Sequence, residues 1–242
     1  YLRERVSFND FYLKNDLKII ENILKTNGYY FSDIKTSFNK NSELNTINLK
    51  IEINLGKKAK IENISFIFNK VFKDKKLREV IASEESKFWK FISNNVYLNQ
   101  SRINLDKRLL ENYYKNRGFY NINIKSTFAI INEKNQFELI FNIDAGNKFF
   151  FNEIKLNNSN DIEVGNISIF EERLKNLEGE RYSKKKIDDL ISEINVYTLR
   201  NDFVFIDANF TEVILKDNKI NIIINFEDIE KTYVERINIL GN

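Results

Sequence analysis

Apolar positions along the 242-residue chain follow two rhythms. Ile122, Ile124 and Phe128, with Ser126 among them, fall on every second position, and so do Phe137, Leu139, Phe141 and Ile143. A period of two predicts half-buried strands that each turn one face inward. Asn132-Glu133-Lys134-Asn135 lies between them as a polar hairpin loop. Upstream, Ile103, Leu105, Leu109, Leu110, Tyr113 and Tyr114 predict a helix over 101–117. Ser101 is placed to cap its start, and Gly118 to end it with a left-handed residue. Leu77, Val80 and Ile81 at i, i+3 and i+4 predict a shorter amphipathic helix over 73–81, and Ile61, Ile64 and Phe66 predict a strand before it. Residues 59–146 thus read as strand, helix, helix, strand, strand.

The same order recurs. Gly28 and Gly118 stand 90 residues apart, as do Gly56 and Gly146. At that offset Tyr29-Tyr30 matches Phe119-Tyr120, Ile34 and Phe38 match Ile124 and Phe128, and Ile47, Leu49, Ile51 and Ile53 match Phe137, Leu139, Phe141 and Ile143. Asp16, Ile19, Ile20 and Ile23 match Asp106, Leu109, Leu110 and Tyr113. A dozen matches in one register mark an internal repeat. The strand opening at Ile61 returns at Phe151 and, 83 residues later, at Val234. The third copy predicts helices over 169–177 and 183–200 and strands over 203–214 and 220–226, with Asn201-Asp202 where the other copies carry Gly. Residue 1 corresponds to residue 91, so the first copy lacks its first strand and first helix, and the chain is expected to be part of a longer array.

Composition narrows the chemistry. There is no His and no Cys, so Ser-His-Asp and Cys-His nucleophiles and the usual zinc and iron–sulfur ligand sets cannot be assembled. Net charge is +3, with no dense basic block beyond Lys184-Lys185-Lys186, and no apolar run of membrane-spanning length occurs. Glu84-Glu85, Glu171-Glu172 and Asp188-Asp189 are adjacent pairs, and neighbours on a helix point apart. Asp16 and Asp106 read as solvent-facing or helix-start charges. These features predict a binding scaffold without cofactor, metal or catalytic residue.

The βααββ repeat, with Tyr113-Tyr114-Lys115-Asn116-Arg117-Gly118-Phe119-Tyr120 at its helix-to-strand turn, resembles the POTRA domain of BamA-type outer-membrane assembly proteins. Glu84-Glu85-Ser86-Lys87-Phe88-Trp89-Lys90-Phe91 resembles an insertion between the helices in alphaproteobacterial members, and residues 233–242 resemble the start of the domain next to the barrel. Phe68 departs from the pattern, standing where the strand-ending Gly-Asn motif has Gly. The resemblance implies an α+β fold of tandem POTRA modules, two helices packed on a three-stranded sheet in each, forming an elongated array. Residues 1–57 would be the second half of a module, 58–147 and 148–230 complete modules, and 231–242 the first strand of another.

It also implies a periplasmic region attached to the outer membrane of a Gram-negative bacterium. Unfolded β-barrel clients would pair with an exposed strand edge over 119–130, marked by Phe119, Ile122, Ile124, Ser126 and Phe128. Phe88, Trp89 and Phe91 would anchor an accessory lipoprotein or a neighbouring domain, or fold back as a cap, and Gly56 and Gly146 would act as hinges between modules. The remaining partner would be a C-terminal membrane β-barrel of the same protein, with no nucleic acid involved. A related transporter of the two-partner secretion or autotransporter-assembly kind, or a passive spacer, is the alternative.

Overall fold

The computed structural model describes residues 7–89, 93–132, 136–157, 167–201, 206–228, 235–236 and 238, with the backbone alone at 128–132, 167–168 and 228. Helix α1 (Asp10–Thr26) precedes strands β1 (Asp33–Asn41) and β2 (Thr46–Asn54). Then follow β3 (Lys60–Asn69), α2 (Asp74–Arg78), α3 (Gln100–Lys115), β4 (Asn123–Asn132) and β5 (Gln136–Asp144). The last set is β6 (Phe150–Asn157), α4 (Glu171–Leu177), α5 (Lys184–Arg200), β7 (Ile206–Ile214) and β8 (Lys219–Asp228). The order β, α, α, β, β over β3–β5 and again over β6–β8 is the one read from the spacing. Residues 133–135 of the expected hairpin loop, 203–205 of the expected strand and most of 231–242 lie outside the described residues.

Register carries the repeat into three dimensions. β1 pairs antiparallel with β2 through Ile34 opposite Ile53 and Phe38 opposite Leu49. β4 pairs antiparallel with β5 through Ile124 opposite Ile143 and Phe128 opposite Leu139. Each partner has moved by the same 90 residues. β3 joins β5 in parallel, giving the order β3-β5-β4; the last sheet repeats it as β6-β8-β7. Each first strand carries a bulge, at Ile61/Asn63 and at Phe151/Ile154.

Two compact units form, Tyr1–Glu111 with Asn123–Ala145, and Asn112–Ile122 with Gly146–Asn242. The first buries Ile61, Ile64, Phe66, Leu77, Leu98, Ile103, Leu110, Phe137, Leu139, Phe141 and Ile143. The rings of Phe66 and Phe141 stack with centroids 5.6 Å apart. In the second, Phe151, Ile187, Leu190, Ile194, Ile220, Ile222 and Ile224 make a core of their own, with Tyr120 packed against it.

Three local expectations change. The cap of α3 is Asn99, whose Oδ1 accepts from the Arg102 N–H at 2.9 Å, because the helix starts at Gln100, ahead of Ser101. Asp106 is fully buried, not a solvent-facing or helix-start charge. It sits on the inward stripe with Ile103 and Leu110, and its Oδ1 accepts from the backbone N–H groups of Ala82 (2.6 Å) and Ser83 (3.1 Å), tying α3 to the chain that leaves α2. Asp16, one repeat earlier, is buried as well. Phe68, which departs from the expected glycine, holds φ at 72° with its ring exposed, a left-handed conformation that strains an aromatic residue.

One link recurs at the 90-residue step. In the first unit Ala59 N–H donates to the Gly28 carbonyl (2.9 Å), and the Ala59 carbonyl accepts from Leu98 N–H (2.8 Å). In the second, Phe149 N–H donates to Gly118 (2.7 Å) and its carbonyl accepts from Tyr182 N–H (2.9 Å). A Cβ on Gly28 would come within 2.7 Å of the Leu98 carbonyl oxygen, so only glycine allows this approach.

Candidate functional site

A three-stranded sheet has two edges, and each edge offers backbone groups that need partners. The first strands do not leave theirs free. Along β3, Ser86 N–H donates to the Ile61 carbonyl (2.6 Å), Glu85 Oε1 accepts from Ile64 N–H (3.2 Å), and Arg78 donates to the Ile64 carbonyl (2.8 Å). Along β6, Phe151 exchanges backbone bonds with Glu180 and Gly179 (2.9 Å each), and Glu178 Oε1 accepts from Ile154 N–H (3.3 Å). In both units the segment between the two helices seals this edge, aided by a glutamate.

The opposite edges differ from each other. On β7, the side-chain amide of Asn195 meets Ala208 as a neighbouring strand would, accepting from its N–H (2.7 Å) and donating to its carbonyl (3.3 Å). Counting from the buried Leu110 and Ile194, the position on α3 that matches Asn195 holds Glu111, whose side chain has no amide N–H to give a carbonyl. Over 123–127 of β4, among the described residues, no loop or side chain bonds to the outward backbone. Ile124 is buried and Ser126 half-buried, while Lys125 and Thr127 are exposed. Phe119 and Ile122 precede the strand, which begins at Asn123: the N–H of Phe119 bonds back to the Tyr114 carbonyl (3.1 Å) to close the helix, and its ring is buried. Phe128 belongs to β4 by its backbone.

Phe88 is 89% exposed and Trp89 57% exposed, their rings edge to face at 4.5 Å; Phe91 lies outside the described residues. Gly56 and Gly146 both hold φ at 64° in the turns that lead to β3 and β6. The acidic pairs do not converge. Glu84 accepts from the Ser93 hydroxyl and Glu85 from Arg78, while Asp188 and Asp189 pair separately with Lys184 (2.8 Å) and Lys185 (2.7 Å). Those pairs and one from Lys186 to Glu180 occupy the cations of the Lys184–186 run.

One polar cluster gave no sequence signal. Tyr120 and Tyr182 each donate a hydroxyl to Glu212 on β7, one to each carboxylate oxygen at 2.7 Å, and their rings meet edge to face at 5.0 Å. Burial and the bond to Glu212 push the Tyr120 phenol up to about 12, and the same two causes hold Tyr182 well above its ordinary range. The three residues come from distant parts of the chain, so spacing could not have grouped them. Among the described residues no three His, Cys, Asp or Glu side chains are placed to hold a metal ion.

Residues 59–146 match the POTRA family, described as a surface antigen variable number repeat. The chain is 26% identical over 250 residues to outer membrane protein assembly factor BamA of Buchnera aphidicola, an alignment covering 98% of this chain and 38% of that protein. It is 22% identical over 201 residues to BamA of Neisseria meningitidis serogroup B, covering 82% of this chain and 25% of the relative. The chain therefore spans less than two fifths of the length of these curated relatives. In fold it is similar to the crystal structure of Haemophilus influenzae BamA POTRA3-5, with a TM-score of 0.53 at 16% identity over 95% of this chain and 84% of that one.

Proposed function

We propose that this chain, whose residues 59–146 match the POTRA family, is a periplasmic, strand-receiving region of an outer-membrane protein assembly factor. One observation carries the reading. The edges of β3 and β6 are sealed by their own connecting segments, β7 is plugged at Ala208, and β4 is left open over 123–127. An extended client can add to such an edge by main-chain hydrogen bonds, which give affinity with little demand on sequence. That suits a receptor for many unfolded β-barrel chains. The role needs no nucleophile or cofactor: the work is the temporary satisfaction of backbone groups.

Photocrosslinking tests this in cells making the full-length protein. A photoreactive residue at Lys125 or Thr127, both exposed on β4, should capture outer-membrane barrel precursors, whereas one at Asn209 on the plugged β7 should capture few. Equal capture at both edges, or none at β4, would remove the basis for client pairing and leave the modules as spacers.

A further inference from the structure

The Phe88-Trp89 pair follows the segment that seals β3 and has its own surroundings. Lys60, Lys87, Phe88, Val96 and Tyr97 line one cleft in the first unit. Lys58 Nζ lies 5.8 Å from the Tyr97 ring centre and 5.1 Å from that of Tyr29, and Lys87 Nζ lies 5.7 Å from the Trp89 ring. Lys58, Lys60 and Lys87 are exposed. The carboxylates nearby are engaged: Glu62 accepts from Gln136, and Glu85 from the Ile64 N–H and Arg78, with Lys87 at a longer 3.7 Å. The surface thus sets two exposed aromatic rings beside three exposed lysines, with Glu62 the carboxylate of the same cleft.

We propose that this patch is a membrane-surface contact, in which Phe88 and Trp89 enter the headgroup layer of an anionic lipid surface and Lys58, Lys60 and Lys87 meet its phosphates. The residue types decide between a lipid and a protein partner. Protein interfaces favour Arg with aromatics and are depleted of Lys, and the nearby Arg78 is spent inside the fold on Glu85 and Ile64. Trp and aromatic rings with Lys are the combination that settles at a bilayer boundary, where the ring takes the interface and the ammonium takes the anionic headgroup. Phe88 stands at the rim of the cleft with 89% of its surface exposed and Trp89 beside it is 57% exposed, which fits insertion into a soft layer.

Trp89 is the single tryptophan of the chain, so its fluorescence reports on this patch alone. The full 242-residue chain is mixed with phosphatidylcholine vesicles with and without phosphatidylglycerol. With the anionic lipid at low salt, Trp89 emission should move to the blue and be quenched by brominated acyl chains. Added salt should reverse both changes, because it screens the lysines. Lys60→Gln and Lys87→Gln should each weaken partitioning about fivefold, and Phe88→Ser should weaken it without removing the salt dependence. Emission unchanged by anionic vesicles overturns the proposal. So does a Trp89 shift produced only by a protein partner, which would make the pair a protein anchor.

Discussion

At the scale of single residues, Asp106 shows how a charge can be structural. Burial raises its pKa above the ordinary 3.8, while the two backbone N–H groups of Ala82 and Ser83 pull it back. Raised in the folded state, the group favours folding fully only below 3.8, and that contribution fades as pH climbs through the raised value. Asp106→Asn keeps an oxygen for the two N–H groups and offers a donor beside the buried Ser83 hydroxyl. Urea midpoints should therefore favour the Asn variant at neutral pH, with the gap narrowing toward pH 3.8; a gap that widens on acidification would contradict this account. The sequence held the clue in the i, i+3, i+7 run of Ile103, Asp106 and Leu110, and in the matching Asp16. A carboxylate among polar neighbours reads as solvent-facing, and only the packed stripe reveals otherwise.

At the scale of elements, what was legible was periodic. Alternation located β4 and β5, and the glycine at the end of α3 located the turn after it, because both depend on near neighbours in the chain. The helix cap was missed by two residues, since Asn99 and Ser101 both carry capping chemistry. The state of each strand edge was not legible at all: Glu85, Glu178 and Asn195 act on backbone groups 13 to 24 residues away, where no local rule points. Asn195 offers the test. Asn195→Ala leaves Ala208, which is buried, without the side-chain amide and should cost about 1–3 kcal/mol in urea unfolding. The same change should raise client crosslinking from Asn209 toward the level at β4. Loss of stability without any gain in capture would show the amide to be structural only.

At the scale of the whole chain, the repeat unit and the spatial unit do not coincide. The second compact unit takes in Asn112–Ile122, which by sequence belongs to the preceding repeat. It is held by the Gly118 carbonyl, by Asn116 accepting from Lys185 N–H (2.8 Å), and by the two phenols on Glu212. Calorimetry should resolve two transitions, and Tyr120→Phe should lower one of them by about 1.5–3 kcal/mol, the worth of a hydrogen bond to a charged group. If both transitions fall together, the Glu212 cluster is not confined to one cooperative unit.

The unequal edges of the middle sheet have a consequence for valence. A sheet open on both sides is divalent in strands and can grow into a fibre, each added copy presenting a new edge. With β3 sealed, this sheet is monovalent. A strand that joins β4 finds no second opening across the sheet, and two copies meeting β4 to β4 use up both openings at once. Between copies of this sheet growth therefore ends at the pair, so the open edge does not by itself make these modules the seed of a fibre.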